Sequence, residues 1–527
     1  MGLQNELPSL QPTDPIRAFN TLPRVEPGSQ RCVHSLFEMH AAVRPQAIAL
    51  RFEGESTSYR DLNDRADGLA THLRARGVNA GSLVAICMPR SADMVVAMLA
   101  TLKAGAAYVP MDPAYPPDRL QFMLGDCHAA LVLTAHGSHS VIHAVGTPTL
   151  AVDGPSPAVA VEPALPERAA RVTDLVYAIY TSGSTGQPKA AMNTHAGLVN
   201  QLNWFIAAFS IRPGDRVLQQ TQFSFDVAAM EFFSALCAGA TLVIAKPSRQ
   251  LDPGYLSDLI EAEGVTSLHF VPSVLRVFLG DVETHALATV RQVICAGEAL
   301  PASLATEFMR RFPKVGLHNL YGPAETAVYV SHWDCSALQP GGNVLIGRPV
   351  ANTRLYVLDE HGAAAAIGTA GELCIAGVQV GTGYVGRSEL TAQRFVADPF
   401  ADAFADTDHA AMYKTGDLAR WLADGNIEYL GRLDFQVKVA GQRVELGEIE
   451  AALERCEGVK QATVVPQPDT HGDQRLRAFV TLTTAKNERQ NSSSITGTSS
   501  DAPTQRTAIS GHSSWPFASF GDRKSVV

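Results

Sequence analysis

The chain has 527 residues, 46% of them hydrophobic, and a formal net charge of −10. That length exceeds what one hydrophobic core usually serves, so at least two domains are expected. An acidic balance without a basic block argues against nucleic acid and anionic membrane as partners, and no apolar run reaches the roughly 18 residues that cross a bilayer.

Residues 1–30 are polar with several prolines and read as a linker. The opening Met1-Gly2-Leu3-Gln4-Asn5-Glu6 lacks a basic-then-apolar leader, so a cytoplasmic location is expected. A helical pattern begins at Val33, followed by a strand over 47–52, a helix over 59–77, a strand over 83–87 and a helix stopping at Gly105. Helix and strand keep alternating to about residue 330, which predicts an α/β fold with a mainly parallel sheet. Residues 344–432 are richer in glycine and short strands and read as a small, β-barrel-like subdomain. After a hinge at Asp434 a small α+β unit begins: strand 435–440, helix 447–456, strands 462–466 and 477–482. The division is thus 1–30, 31–433, 434–484 and a tail, 485–527. The tail is rich in serine and threonine and expected to be disordered. Eight cysteines (32, 87, 127, 237, 295, 335, 374, 456) are scattered with no Cys-x-x-Cys, which fits free thiols in a reducing compartment.

The chemistry concentrates in a few segments. Tyr180-Thr181-Ser182-Gly183-Ser184-Thr185-Gly186-Gln187-Pro188-Lys189 follows an apolar strand. Glycines let backbone N–H groups approach a polyphosphate, hydroxyls donate hydrogen bonds, and Lys189 supplies a full charge. The spacing is not that of the Walker loop. Tyr321-Gly322-Pro323-Ala324-Glu325-Thr326 offers a ring suited to stacking on a base and a carboxylate suited to Mg²⁺. Tyr413-Lys414-Thr415-Gly416-Asp417-Leu418 places an aspartate in a glycine turn, where it could accept from both ribose hydroxyls. Gly381-Thr382-Gly383-Tyr384-Val385-Gly386 matches the dinucleotide fingerprint, but it lies in the β subdomain rather than at the first turn of a βαβ unit, so it is read as a decoy.

In this order and combination, from about Cys32 to Leu482, the segments resemble the adenylation domain of nonribosomal peptide synthetases, in the superfamily that also holds acyl-CoA synthetases and firefly luciferase. Further matching motifs are Leu102-Lys103-Ala104-Gly105, Phe225-Asp226, Gly371-Glu372-Leu373 and Glu445-Leu446-Gly447-Glu448-Ile449-Glu450. The resemblance implies an AMP-forming ligase: an amino-acid carboxylate attacks the α-phosphorus of ATP, giving aminoacyl-AMP and pyrophosphate, and the acyl group passes to a phosphopantetheine thiol on a carrier domain. It implies that Thr181, Ser182, Gly183, Ser184, Thr185, Gly186 and Lys189 hold phosphates and that Glu325 holds Mg²⁺. Tyr321 would stack on adenine, Asp417 would bind ribose, and Arg432 would face the nucleotide. Gly297, Glu298, Asn319, Gly322, Thr326 and Tyr429 would complete the nucleotide site. Lys438 would serve the thioester step. Lys189, Glu325, Thr185 and Lys438 would be the catalytic set, with Lys189 and Glu325 on surface loops.

Asp226 would pair with the substrate's α-ammonium. The side-chain pocket would be lined by Val227, Met230, Phe270, Ile294, Ala296, Leu320, Val328 and Tyr329, and so would favour an aliphatic amino acid. Ala324 stands where the family commonly has Thr, Ala440 where it has Arg, and residues 381–384 where it has Ala-Arg-Gly-Tyr. The family's C-terminal Leu-Pro-x-Tyr-Met-Val-Pro segment and its Asn-Gly-Lys lysine find no match; Lys486 and Lys524 have the wrong context. The tail from about 485 is therefore expected to be artefactual, with the partner carrier and condensation domains absent. A catalytically impaired nucleotide-binding fragment is the alternative. An acyl-CoA ligase is a third reading, which Asp226 argues against.

Overall fold

The computed structural model describes residues 14–21, 31–135, 146–153, 170–183, 187–404, 409–434, 437–439, 442–456, 458–468 and 474–482. They belong to two compact units, residues 1–181 with 189–434 and residues 182–188 with 435–527. The tail and most of residues 1–30 lie outside the described residues.

The first unit is built on two large sheets. A nine-stranded sheet runs, edge to edge, Arg348–Pro349, Ser331–Asp334, Gly316–Tyr321, Gln292–Cys295, Ser267–Phe270, Arg216–Gln219, Thr241–Ile244, Ile48–Phe52 and Glu55–Ser58. Its central pairs are parallel and its edges antiparallel. A seven-stranded sheet runs Gly383–Tyr384, Lys189–Thr194, Leu175–Thr181, Ala107–Met111, Leu83–Cys87, Leu131–Thr134 and Thr149–Ala151. Helices Ala92–Lys103, His195–Ala208 and Val227–Cys237 share one apolar core with residues of both sheets, among them Leu242, Ile244, Val84 and Tyr177. Their sequences explain the placement. In Val227–Cys237 every residue from Ala228 to Cys237 is buried; a helix apolar on nearly every side, with Glu231 and Ser234 its polar exceptions, has no face to give to water.

A third sheet joins Thr353–Leu358, Gly371–Gly377, Ala411–Trp421 and Phe395–Ala397, with Ile427–Arg432 paired to Ala411–Trp421. It is the expected β subdomain, although no closed barrel forms among the described residues. Two local readings differ. The expected glycine turn at 413–418 is instead part of the long strand Ala411–Trp421, interrupted by a register shift between Leu418 and Ala419. Within the expected linker, Pro15–Phe19 is a helix: Ile16 is buried in the β-subdomain core, Phe19 packs on Trp421 at 5.2 Å, and the Asn20 amide bonds both the N–H and C=O of Leu355 at 2.7 and 2.9 Å. That contact spans over 300 residues of sequence, which no local pattern reveals.

The second unit pairs Val437–Val439 with Gln442–Val444 and Val459–Pro468 with Gln474–Leu482. The helix Leu446–Glu454 is tied to the longer hairpin where Glu450 and Glu454 accept from the Val464 and Ala462 amides. Among the described residues no helix is long and apolar enough to cross a membrane.

Candidate active site

Strands Leu175–Thr181 and Lys189–Thr194 are antiparallel partners, with Thr181 opposite Lys189. The glycine- and hydroxyl-rich segment is therefore a hairpin connection. Ser184, Thr185 and Gly186 lie outside the described residues. A side chain on Gly183 would bring its Cβ to 1.9 Å from the Gln187 carbonyl oxygen, so only glycine fits at that position.

Lys189 and Glu325 are not on exposed loops. Lys189 is 7% exposed and Glu325 fully buried. The Lys189 ammonium lies 3.6 Å from the Glu325 carboxylate and 3.0 Å from the Tyr384 hydroxyl, which donates to Glu325 at 2.7 Å. The Tyr413 hydroxyl is 3.5 Å from that of Tyr384. Burial and the neighbouring carboxylate push the Tyr384 phenol far above its ordinary pKa, so it stays a donor. Tyr384 was missed in the sequence because it sits in the dinucleotide-like decoy. Gly383–Tyr384 is in fact an edge strand beside Lys189–Thr194, and Gly381 passes so near the Met192 carbonyl that a Cβ would sit 2.4 Å away.

A second polar group forms where Ala411–Trp421 and Ile427–Arg432 pair. Asp417 is opposite Arg432 and accepts from it at 2.6 Å, and the Tyr321 hydroxyl donates to the other Asp417 oxygen. Arg432 also grips Asp434 with two bonds of 2.6 Å. The Tyr429 ring lies 6.2 Å from Tyr321. A ribose at Asp417 would thus share a carboxylate that already has two donors. Gly297 has φ +87°, and next to it Glu298 accepts from the Ser273 amide at 3.0 Å. Asn319 donates to the Leu345 carbonyl at 2.8 Å, and Thr326 to that of Pro323 at 3.1 Å. In the second unit Lys438 lies on strand Val437–Val439, opposite Arg443.

Asp226 is half-buried at the head of Val227–Cys237. It adopts helical dihedrals and its carboxylate accepts from the adjacent Val227 amide at 2.9 Å. A regular cap is extended and reaches the second or third amide of the helix. The Asp226 charge also raises the pKa of the buried Tyr108, Tyr177 and Tyr329 hydroxyls, after burial itself.

Met230, Ile294, Ala296, Leu320, Val328 and Tyr329 are buried in one core, with Val227 packed on it. Phe270 is not among them: it belongs to the core on the other face of the nine-stranded sheet, 5.0 Å from Phe278. Side chains alternate along a strand, and His269, opposite Ile294, takes the face assigned to Phe270. Its ring lies 5.4 Å from Phe205 and 6.5 Å from Tyr329. Among the described residues, both His269 nitrogens and the Tyr329 hydroxyl are buried without a hydrogen-bond partner. Burial lowers the His269 pKa to about 3, so it is neutral near pH 7.

Glu231 lies one turn beyond Val227, fully buried. It accepts from the Thr221 amide at 3.1 Å, the Thr221 hydroxyl at 2.6 Å and the Gln219 amide at 3.0 Å, tying the helix to the segment that leads into Asp226. Burial raises its pKa from 4.5 to about 7, against these hydrogen bonds and the Arg90 charge. A raised carboxyl pKa means stability held below pH 4.5 and lost as pH rises through 7, on the order of 3 kcal/mol. Glu231→Gln is therefore expected to gain stability relative to the parent between pH 5 and 8 in urea melts. A difference that stays constant with pH would contradict the assignment.

The AMP-binding enzyme family matches residues 37–385. The chain is 44% identical over 476 residues to phosphinothricin tripeptide synthetase PhsB of Streptomyces viridochromogenes, covering 88% of this chain and 39% of that protein. It is 41% identical over 456 residues to tyrocidine synthase 3 of Brevibacillus parabrevis, covering 86% of this chain and 7% of that one. The chain thus spans well under half the length of these relatives. A solved structure of NpsA-ThdA, an artificially fused adenylation–PCP di-domain from Klebsiella oxytoca, superposes with a TM-score of 0.77 at 26% identity, over 86% of this chain and 89% of that one. The chain belongs to the AMP-binding enzyme family and is an adenylation domain of the nonribosomal peptide synthetase type.

Proposed function

We propose that the chain activates an α-amino acid with ATP, releasing pyrophosphate, and passes the acyl group to the phosphopantetheine thiol of a carrier domain in nonribosomal peptide synthesis. The observation that carries this reading is the half-buried Asp226 carboxylate at the head of a mostly apolar wall. A carboxylate there fits an α-ammonium and disfavours a plain fatty acid.

In the first step the substrate carboxylate attacks the α-phosphorus and the bond to the pyrophosphate oxygen breaks. The charge to be stabilised lies on phosphate oxygens, so positioning and fixed donors carry the catalysis. Lys189 and Tyr384 are such donors, with the hairpin connection 182–188 as the phosphate loop. Glu325 fits Mg²⁺: it is one buried carboxylate, and Mg²⁺ is commonly held by one or two carboxylates and substrate phosphates. Mg²⁺ there would neutralise phosphate charge. Asp417 would take the ribose and Tyr321 with Tyr429 the base. In the second step the carrier thiol attacks the acyl carbonyl and AMP leaves. Residues 434–484, with Lys438, serve this step, and 31–433 form the nucleotide- and amino-acid-binding core. A cytoplasmic setting with carrier and condensation partners follows from this role.

For the side chain, the apolar lining supports an aliphatic amino acid. His269 and Tyr329 add that it carries one hydrogen-bonding atom, since neutral histidine can donate or accept and neither group has a hydrogen-bond partner among the described residues. Amino-acid-dependent exchange of labelled pyrophosphate into ATP, run over a panel of amino acids, tests the reading. His269→Leu should lower exchange with the preferred hydrogen-bonding side chain about three- to tenfold relative to Leu or Val, the worth of one hydrogen bond. An unchanged ranking would remove His269 from the pocket. No exchange with any α-amino acid would remove the proposal.

A further inference from the structure

The turn between strands Gly316–Tyr321 and Ser331–Asp334 carries Glu325 at one end and Val328 and Tyr329 at the other. Ala327 and Val328 have φ of +50° and +81°. A β-branched residue in that region is strained, and such strain persists only where the surroundings impose it. The surroundings here are specific. Gly322 lies so close beneath the returning chain that a Cβ would sit 2.0 Å from the Val328 carbonyl oxygen. Asn193, fully buried, donates to the Ala324 carbonyl at 2.7 Å and accepts from the Ala327 amide at 2.9 Å. The Gly381 amide donates to the Glu325 carbonyl at 2.9 Å.

Gln379, 1% exposed, holds the other end. Its amide nitrogen donates to the Tyr329 carbonyl at 2.7 Å and lies 3.1 Å from Gln201 Oε1 and 3.4 Å from the carbonyls of Thr326 and Ala327. Its oxygen accepts from Thr353 at 2.8 Å and Asn200 at 3.0 Å, which fixes which way the amide faces. Gly197 allows this closeness: a Cβ there would meet the Ala327 side chain at 3.3 Å and Gln379 Cα at 3.4 Å.

We propose that Gln379 is a positioning residue for amino-acid selection: it holds Ala327–Tyr329 in the strained form that places the Val328 and Tyr329 side chains in the pocket wall, while Asn193 holds the Glu325 end. The proposal rests on the adenylation reading above and adds a specificity determinant that contacts neither ligand. Misplacement by about 1 Å can cost up to a hundredfold in rate, so the effect on selectivity is large, while the Glu325 end keeps its bonds from Asn193 to Ala324 and from the Gly381 amide to Glu325.

Two variants test it. Gln379→Glu keeps the oxygen that serves Asn200 and Thr353 but turns an acceptor toward the Tyr329 carbonyl. Ala327→Gly frees the turn without burying a new polar atom and, compatible with φ +50°, keeps the test open if the first variant does not fold. In pyrophosphate exchange, each folded variant should lose about tenfold in the kcat/KM ratio between the best and second-best amino acids, with KM for ATP within about twofold of the parent. A ratio within about twofold of the parent in the folded variants, or a proportionate fall in ATP and amino-acid parameters, would overturn the proposal. A parent that shows no exchange fails the adenylation reading instead, and the two failures are distinguishable.

Discussion

Asp226→Ala is expected to abolish amino-acid binding while leaving ATP binding close to that of the parent. The Asp226 charge reaches the buried Tyr177 and Tyr329 hydroxyls, whose pKa it raises after burial itself, and the side chains proposed for the pocket wall are mostly apolar. An ammonium desolvated without its partner loses several kcal/mol, so affinity should fall roughly a hundredfold or more. A des-amino acid of the same shape should bind the variant at least as well as it binds the parent. Were Asp226 chiefly a helix cap, the variant would instead lose about 1 kcal/mol of stability with selectivity intact. Its helical dihedrals and its bond to the adjacent amide are not those of a regular cap. Calorimetric affinities and a melting temperature on one variant decide between the two.

The second large effect belongs to Lys189 and Glu325. Placed on surface loops, either could be changed at little cost to stability; buried as they are, each change removes a buried ion pair from the other. Lys189→Met takes the ammonium from a fully buried carboxylate, and Glu325→Gln takes the carboxylate from an ammonium that is 7% exposed. Each single variant should lose on the order of 3–5 kcal/mol, as for other broken buried pairs. The double variant should lose less than the sum, with a coupling of roughly 1–3 kcal/mol. Each should also lose about a hundredfold in ATP turnover if Lys189 and Glu325 serve phosphate and Mg²⁺. Denaturant melts of the four proteins supply the cycle. Additive losses would mean that the two charges do not support one another.

Much of the scaffold was legible. Strands such as Leu83–Cys87 and helices such as Tyr59–Ala75 follow from apolar runs and periodicity, and glycine and proline mark their ends. The errors have physical causes. In Ser267–Phe270 all four residues are buried; a strand covered on both faces shows no alternation, so nothing local says that His269, and not Phe270, lies on the Tyr329 side of the sheet. Tyr384 reaches Lys189 across 195 residues, through an edge-strand pairing that its glycine-rich surroundings disguise. Asn193 and Gln379 act through backbone groups of a distant turn, and neither residue type signals that in sequence. The strain at Ala327 and Val328 is likewise invisible there, because neither residue favours positive φ.

The central claim, that Asp226 marks an α-amino-acid adenylating site, is tested most directly by pyrophosphate exchange with a matched pair of substrates. The parent chain would be given ATP, Mg²⁺ and labelled pyrophosphate, with either an α-amino acid or the carboxylic acid of the same side chain lacking the amino group. Exchange is expected with the amino acid, and at least a hundredfold less with its des-amino counterpart, the worth of the ammonium pairing. Equal exchange with the two acids would contradict it.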